Sequence, residues 1–123
     1  MSDAAILVAV VDDEPAIRKA LTRLLQSASY RAESHASGPE FLKSLSKEMP
    51  ACVVLDIRMQ GMTGFDVQAW LKEQHIELPI VFMTALDDPN DVPRVAQAGP
   101  LPLLRKPFGD QAFLAAIQEA IRR

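Results

Sequence analysis

The sequence predicts an α/β domain built from five successive βα units, with a parallel sheet covered by helices on both faces. Three observations predict it. The short apolar runs are continuous rather than alternating, as expected of strands buried on both faces. Stretches whose apolar residues recur at helical spacing lie between those runs. Two of these stretches open with a hydroxyl residue followed three places later by an acid, which is a capping-box start.

Ile6–Val11 (ILVAVV) is the first strand. A helix follows, with Ile17, Ala20, Leu21, Leu24 and Ala28 on one face and Arg18, Lys19 and Arg23 on the solvent side. Tyr30–His35 (YRAESH) is more polar and reads as an edge strand. Ser37-Gly-Pro-Glu40 starts a second helix that buries Phe41, Leu42 and Leu45. Ala51–Leu55 (ACVVL) is the third strand, and Thr63-Gly-Phe-Asp66 starts a third helix with Val67 and Leu71 inward and Trp70 half-buried. Ile80–Met83 (IVFM) is the fourth strand. The next helix is constrained by Pro93, which removes a donor, and by the restriction it puts on Val92. Both are satisfied if Val92 caps and Pro93 is the first helical residue, so the helix is expected from Pro93 to Gly99, with residues 87–92 as loop or an isolated turn. Leu101–Arg105 is a weaker fifth strand, and Asp110 starts a last helix with Phe113, Ile117 and Ile121 inward. Pro102 within a strand requires that strand to be an edge.

The 123 residues fit one domain, spanning 1–123, with 49% hydrophobic residues to form its core. A net charge of −3 and the lack of a basic run argue against direct nucleic-acid binding. The N-terminal apolar run has no basic start and is too short for a signal or membrane segment. A single cysteine, Cys52, lies in an apolar run and reads as a small buried hydrophobe, so a reducing cytoplasm is expected. His75 reads as a surface residue.

In an open parallel sheet the working site lies at the carboxyl ends of the strands. The first strand ends in Asp12-Asp13-Glu14, the third in Asp56, the fourth in Thr84 and the fifth in Lys106-Pro107. Each has a bland explanation alone: acids and Pro15 suit a helix start, a threonine caps a strand, a lysine sits on the surface. Their convergence on one sheet end does not. Two carboxylates about 5 Å apart repel by roughly 3 kcal/mol at an effective dielectric near 20. That raises a pKa by about two units. Lys106 offsets part of this, and a hard divalent cation would offset the rest. Mg²⁺ matches an oxygen-only set that leaves room for water and a phosphate oxygen. His35 and His75 are far apart in sequence and form no zinc set with Cys52. Such a site suits phosphoryl transfer, with Asp56 as a carboxylate nucleophile, Thr84 bonding a phosphoryl oxygen, and Lys106 with the metal holding the group.

The chain closely resembles the receiver domain of bacterial two-component response regulators. The resemblance rests on VVDDEP (Val10–Pro15), LDIRM (Leu55–Met59), GMTG (Gly61–Gly64), MTA (Met83–Ala85), AG (Ala98–Gly99) and KPF (Lys106–Phe108), in order and at the family's spacing. It implies a flavodoxin-like three-layer sandwich with strand order 2-1-3-4-5. It implies Asp12 and Asp13 as the acid pair, with Asp13 the more direct metal ligand, and Asp56 as phosphoacceptor. It places the backbone carbonyl of Arg58 in the metal shell, Thr84 as the switch hydroxyl, and Lys106 before a cis proline bond. Mg²⁺ is the implied cofactor. The implied phosphoryl donor is a sensor histidine kinase or histidine phosphotransferase, which in this family docks on the first helix. Similarity to the FixJ-like subgroup implies a C-terminal DNA-binding output domain, which these 123 residues do not contain, and allows a phosphorylation-dependent homodimer.

Three departures bear on switching. Gln60 stands where the family has proline, Leu103 where it has an aromatic switch residue, and prolines at 89, 93, 100 and 102 are atypical. They motivate two expectations: a receiver-like docking module as the alternative function, and readout through ordering or shifting of residues 86–103 rather than an aromatic rotamer. A phosphohydrolase is disfavoured, because the position that carries its second acid is Arg58. A P-loop enzyme is excluded by the missing motif.

Overall fold

A computed structural model describes residues 5–85 and 103–122. The elements run β1 (Leu7–Val11), α1 (Pro15–Ser27), β2 (Arg31–His35), α2 (Gly38–Ser44), β3 (Cys52–Asp56), α3 (Gly64–Glu73), β4 (Ile80–Thr84), β5 (Leu103–Arg105) and α4 (Asp110–Arg122). The strands form one parallel sheet in the order β2-β1-β3-β4-β5, as the resemblance implied. The helix expected from Pro93 to Gly99 and the start of the fifth strand lie outside the described residues.

The continuous apolar runs have the expected cause. β1, β3 and β4 are buried along their whole length, and successive residues feed opposite faces of the sheet. Ala9, Val11, Val53, Leu55, Ile80 and Phe82 pack on one face with Phe41 of α2 and with Phe65, Val67 and Leu71 of α3. Val8, Val10, Cys52, Val54, Val81 and Met83 pack on the other, with Leu21 and Leu25 of α1 and Phe113, Ile117 and Ala120 of α4. The sheet thus divides the core into two layers.

Several boundaries differ from expectation. β2 starts at Arg31 rather than Tyr30, and its mixed exposure marks it as an edge. β3 runs one residue further, through Asp56, which pairs with Met83. In α1 the buried positions are Leu21 and Leu25, and Ala28 is the cap residue that ends the helix. Of the expected stripe, Ile17 and Leu24 are partly buried against the same core layer, and with Ala20 and Leu21 they line a groove shared with Pro107 and Phe108. Thr63 forms a full capping box, its side chain accepting from Asp66 N–H while the Asp66 carboxylate accepts from Thr63 N–H. At α2 the box is shifted: Ser37 Oγ accepts from Glu40 N–H, but the Glu40 carboxylate accepts from Ala36 N–H. His75 follows the cap of α3 with φ of 58°, a left-handed position that usually goes to glycine.

Candidate functional site

Parallel register places the carboxyl ends of all five strands on one edge, so residues remote in sequence meet there. Asp12 directly follows β1, where strand pairing with β2 has just ended at Val11–His35. It is fully buried, and each of its polar groups is bonded. Its N–H donates to the His35 carbonyl at 3.2 Å, and its Oδ1 accepts from Glu14 N–H at 2.9 Å. Its Oδ2 accepts from Lys106 Nζ at 3.0 Å, and its carbonyl accepts from Arg18 Nη1 at 2.7 Å. Asp56 closes β3, is 4% exposed, and accepts from Arg58 N–H at 3.2 Å and from Lys106 Nζ at 3.3 Å.

The Lys106 ammonium therefore bridges two buried carboxylates, with Glu14 Oε1 further off at 4.0 Å. Its backbone is fixed where β5 gives way to the loop: Lys106 N–H donates to the Thr84 carbonyl at 2.8 Å, and the Lys106–Pro107 bond is cis, as the resemblance implied. Thr84 is itself buried at the end of β4. Asp13 is exposed, yet carboxylate oxygens of Asp12, Asp13 and Asp56 lie within 4.8 Å of one another.

The charges act as the spacing suggested, with one change of emphasis. Burial is the first cause that pushes the Asp56 carboxyl up, from 3.8 to about 6, and the Asp12 charge is the second; Lys106 and the Arg58 N–H pull the other way. The sequence identified the repulsion but not the larger desolvation. For Lys106, burial is the largest single influence and favours the neutral amine. The hydrogen bonds and charges of Asp12 and Asp56 together outweigh it, so its pKa is raised and it stays charged.

The loop after Asp56 returns quickly into α3. Gly64 N–H donates to the Ile57 carbonyl, and a Cβ at Gly64 would meet the Asp56 carbonyl oxygen at 2.8 Å. Only glycine lets the helix start this close to the strand end.

Asp12, Asp13, Asp56 and Lys106 are thus brought together as expected, with Thr84 at the adjoining strand end. The exposed Arg58 reaches the site through its backbone, as its N–H on Asp56. Amphipathic spacing puts Arg18 on the solvent face and does not reveal that its side chain folds back onto Asp12. Its signal was available: a side chain near the start of a helix leans toward the N-terminus, and here that direction leads to the strand end.

A doubly wound sheet of this order, with carboxylates and a lysine at its switch point, is a flavodoxin-like α/β domain with a charged site. The family described as the response regulator receiver domain matches residues 8–118. The chain is 34% identical over 122 residues to the response regulator protein TodT of Pseudomonas putida, covering 99% of this chain and 54% of TodT. A receiver protein structure from Burkholderia phymatum is 37% identical with a TM-score of 0.84 over 95% of both chains. The FixJ-N crystal structure is 28% identical with a TM-score of 0.88, covering 100% of this chain and 97% of that one. The chain belongs to the response regulator receiver domain family of two-component systems. It spans about half the length of the curated relatives it matches first.

Proposed function

We propose that the chain is a phosphoacceptor switch in which Asp56 takes a phosphoryl group from a histidine kinase or histidine phosphotransferase. The observation that carries this reading is the set of three carboxylates within 4.8 Å, two of them bridged by the Lys106 ammonium. An oxygen of Asp56 attacks phosphorus, forming an O–P bond as the P–N bond of the donor phosphohistidine breaks, and the imidazole leaves with the electron pair. Lys106 exchanges a carboxylate contact for a phosphoryl oxygen, and Thr84 donates its hydroxyl to another. Asp56 is a stoichiometric acceptor, regenerated by hydrolysis.

The donor set fits Mg²⁺: all ligands are oxygen, and three carboxylates face one bridging ammonium, leaving negative charge for a hard cation to balance. Asp12, Asp13, Asp56 and the Arg58 carbonyl would hold it. When bound, it supplies charge neutralisation on the transferring group.

No helix among the described residues is long and apolar enough to cross a membrane, which accords with a cytoplasmic partner of a sensor kinase. An output domain beyond this chain is part of the same proposal, since the chain covers only 54% of the length of TodT. One observation favours the alternative of a docking module with atypical switching: Leu103, where the family resemblance implies an aromatic switch, packs against the core layer shared with α2 and α3.

Acetyl phosphate with Mg²⁺ should phosphorylate the chain, seen by intact mass. Asp56→Asn or removal of the metal by chelation should abolish it. Phosphorylation that persists in Asp56→Asn would refute the acceptor, and no modification of the wild type would favour the docking module.

A further inference from the structure

We propose that Arg18 is a positioning residue for the acidic site. Its guanidinium fixes the turn that holds Asp12 and Asp13 ready for a divalent cation. The inference rests on the proposed function and adds a residue to it.

Four observations carry it. First, the Arg18–Asp12 carbonyl bond, at 2.7 Å, is shorter than any of the other bonds to Asp12. It is also charge-assisted on the donor side. Second, that carbonyl lies one residue past the last paired position of β1, so no strand partner remains for it. A buried carbonyl without a partner is costly, and Arg18 satisfies it. Third, α1 has no side-chain cap: Glu14 precedes the helix and makes no capping bond of its own. The turn from Asp12 to Pro15 is held instead by two bonds that both end on Asp12, from Glu14 N–H and from Arg18. Fourth, Arg18 is half-buried, whereas its neighbours on the same helix, Lys19 and Arg23, are exposed.

Two roles for Arg18 predict opposite signs. If it acted only as a nearby positive charge, it would repel a cation, and its removal would tighten metal binding. If it positions the turn, its removal frees the Asp12 carbonyl, loosens the Asp12–Glu14 bond and lets the acid pair drift. Outer-shell partners of this kind typically set metal affinity by about tenfold. Arg18→Met keeps most of the stem but removes charge and donors. Arg18→Lys keeps the charge but offers a point donor in place of the planar fork.

The test is a Mg²⁺ titration of the whole chain, followed through the Glu14 and Arg58 amide signals by NMR. Wild type, Arg18→Met and Arg18→Lys are compared, with amide exchange at Glu14 measured on the metal-free proteins. Positioning predicts a dissociation constant raised about tenfold in Arg18→Met, partial recovery in Arg18→Lys, and faster Glu14 exchange in both. Arg18→Met binding as tightly as wild type, or more tightly, overturns the inference. If Arg18→Met does not fold, unchanged Glu14 exchange and unchanged affinity in Arg18→Lys overturn it. A wild type with no saturable Mg²⁺ shift overturns the site reading itself. That outcome is distinct from a wild type that binds while the variants bind equally well.

Discussion

Asp56 is held in its less comfortable charge state. Its carboxyl is raised from 3.8 to about 6, so the folded protein holds that proton more tightly than the unfolded chain does. Stability therefore falls as pH rises from about 4 to above 6, and the penalty is full at neutral pH. Asp56→Asn should stabilise the metal-free protein by about 1–3 kcal/mol at pH 7 in urea melts. The gain should fade below pH 4, and Mg²⁺ should stabilise the wild type but not the variant. Cys52 makes the opposite case, a titratable group kept neutral. It is fully buried in the layer that contains α1 and α4, and burial pushes its thiol up to about 12. Alkylation by iodoacetamide at pH 8 should need unfolding, and rapid labelling of the native chain would contradict this. Both residues were legible in the sequence, because an acid ending an apolar run and a cysteine inside one each have few explanations. The contact of Arg18 with Asp12 is not legible in the helical pattern, because amphipathic spacing says which side of a helix a residue occupies, not where a long side chain leans at its first turns.

At the scale of elements, local chemistry fixed the helix starts better than the strand limits. Thr63 and Asp66 carry their own instruction, and the full capping box appears as read. β2 and β5 are edges with one strand neighbour each, so pairing rather than composition decides how far they extend. The start of α3 also carries a hidden requirement. Gly64→Ala would drive a Cβ to 2.8 Å from the Asp56 carbonyl oxygen, which is backbone and cannot swing aside. The variant should lose about 1–3 kcal/mol in urea melts, with acetyl-phosphate labelling of Asp56 reduced as well. Thr63→Ala one residue earlier should lose only about 1 kcal/mol and leave labelling near normal. Equal labelling in both variants would show that the close approach does not matter to the acceptor. The sequence shows His75 only as a surface residue and not its φ of 58°, because a residue after a helix cap does not reveal its handedness by type.

For the whole molecule, the alternation of βα units was enough to give a parallel two-sided sheet, and the strand order followed from the resemblance. Composition alone could not divide the core, since the two layers draw alternately on the same strands. That division has an energetic signature. Ile80 and Ile117 lie in different layers with the sheet between them. Ile80→Val and Ile117→Val should each lose about 0.5–1.5 kcal/mol. The double variant should match their sum within about 0.5 kcal/mol. A larger coupling would mean that the sheet passes strain from face to face.

The Lys106 bridge reaches Asp12 across 94 positions of sequence and Asp56 across 50. Without β5 in place, the adjacent carboxylates of Asp12 and Asp56 would lack this ammonium, a local frustration in an otherwise consistent fold. Seating β5 delivers the ammonium and offsets part of it, while burial still holds the Asp56 carboxyl above its ordinary range. Order of assembly and electrostatics are thereby tied: the sheet in which these two acids share a countercharge is the complete one, and the attraction that holds Lys106 between them also draws the final strand home.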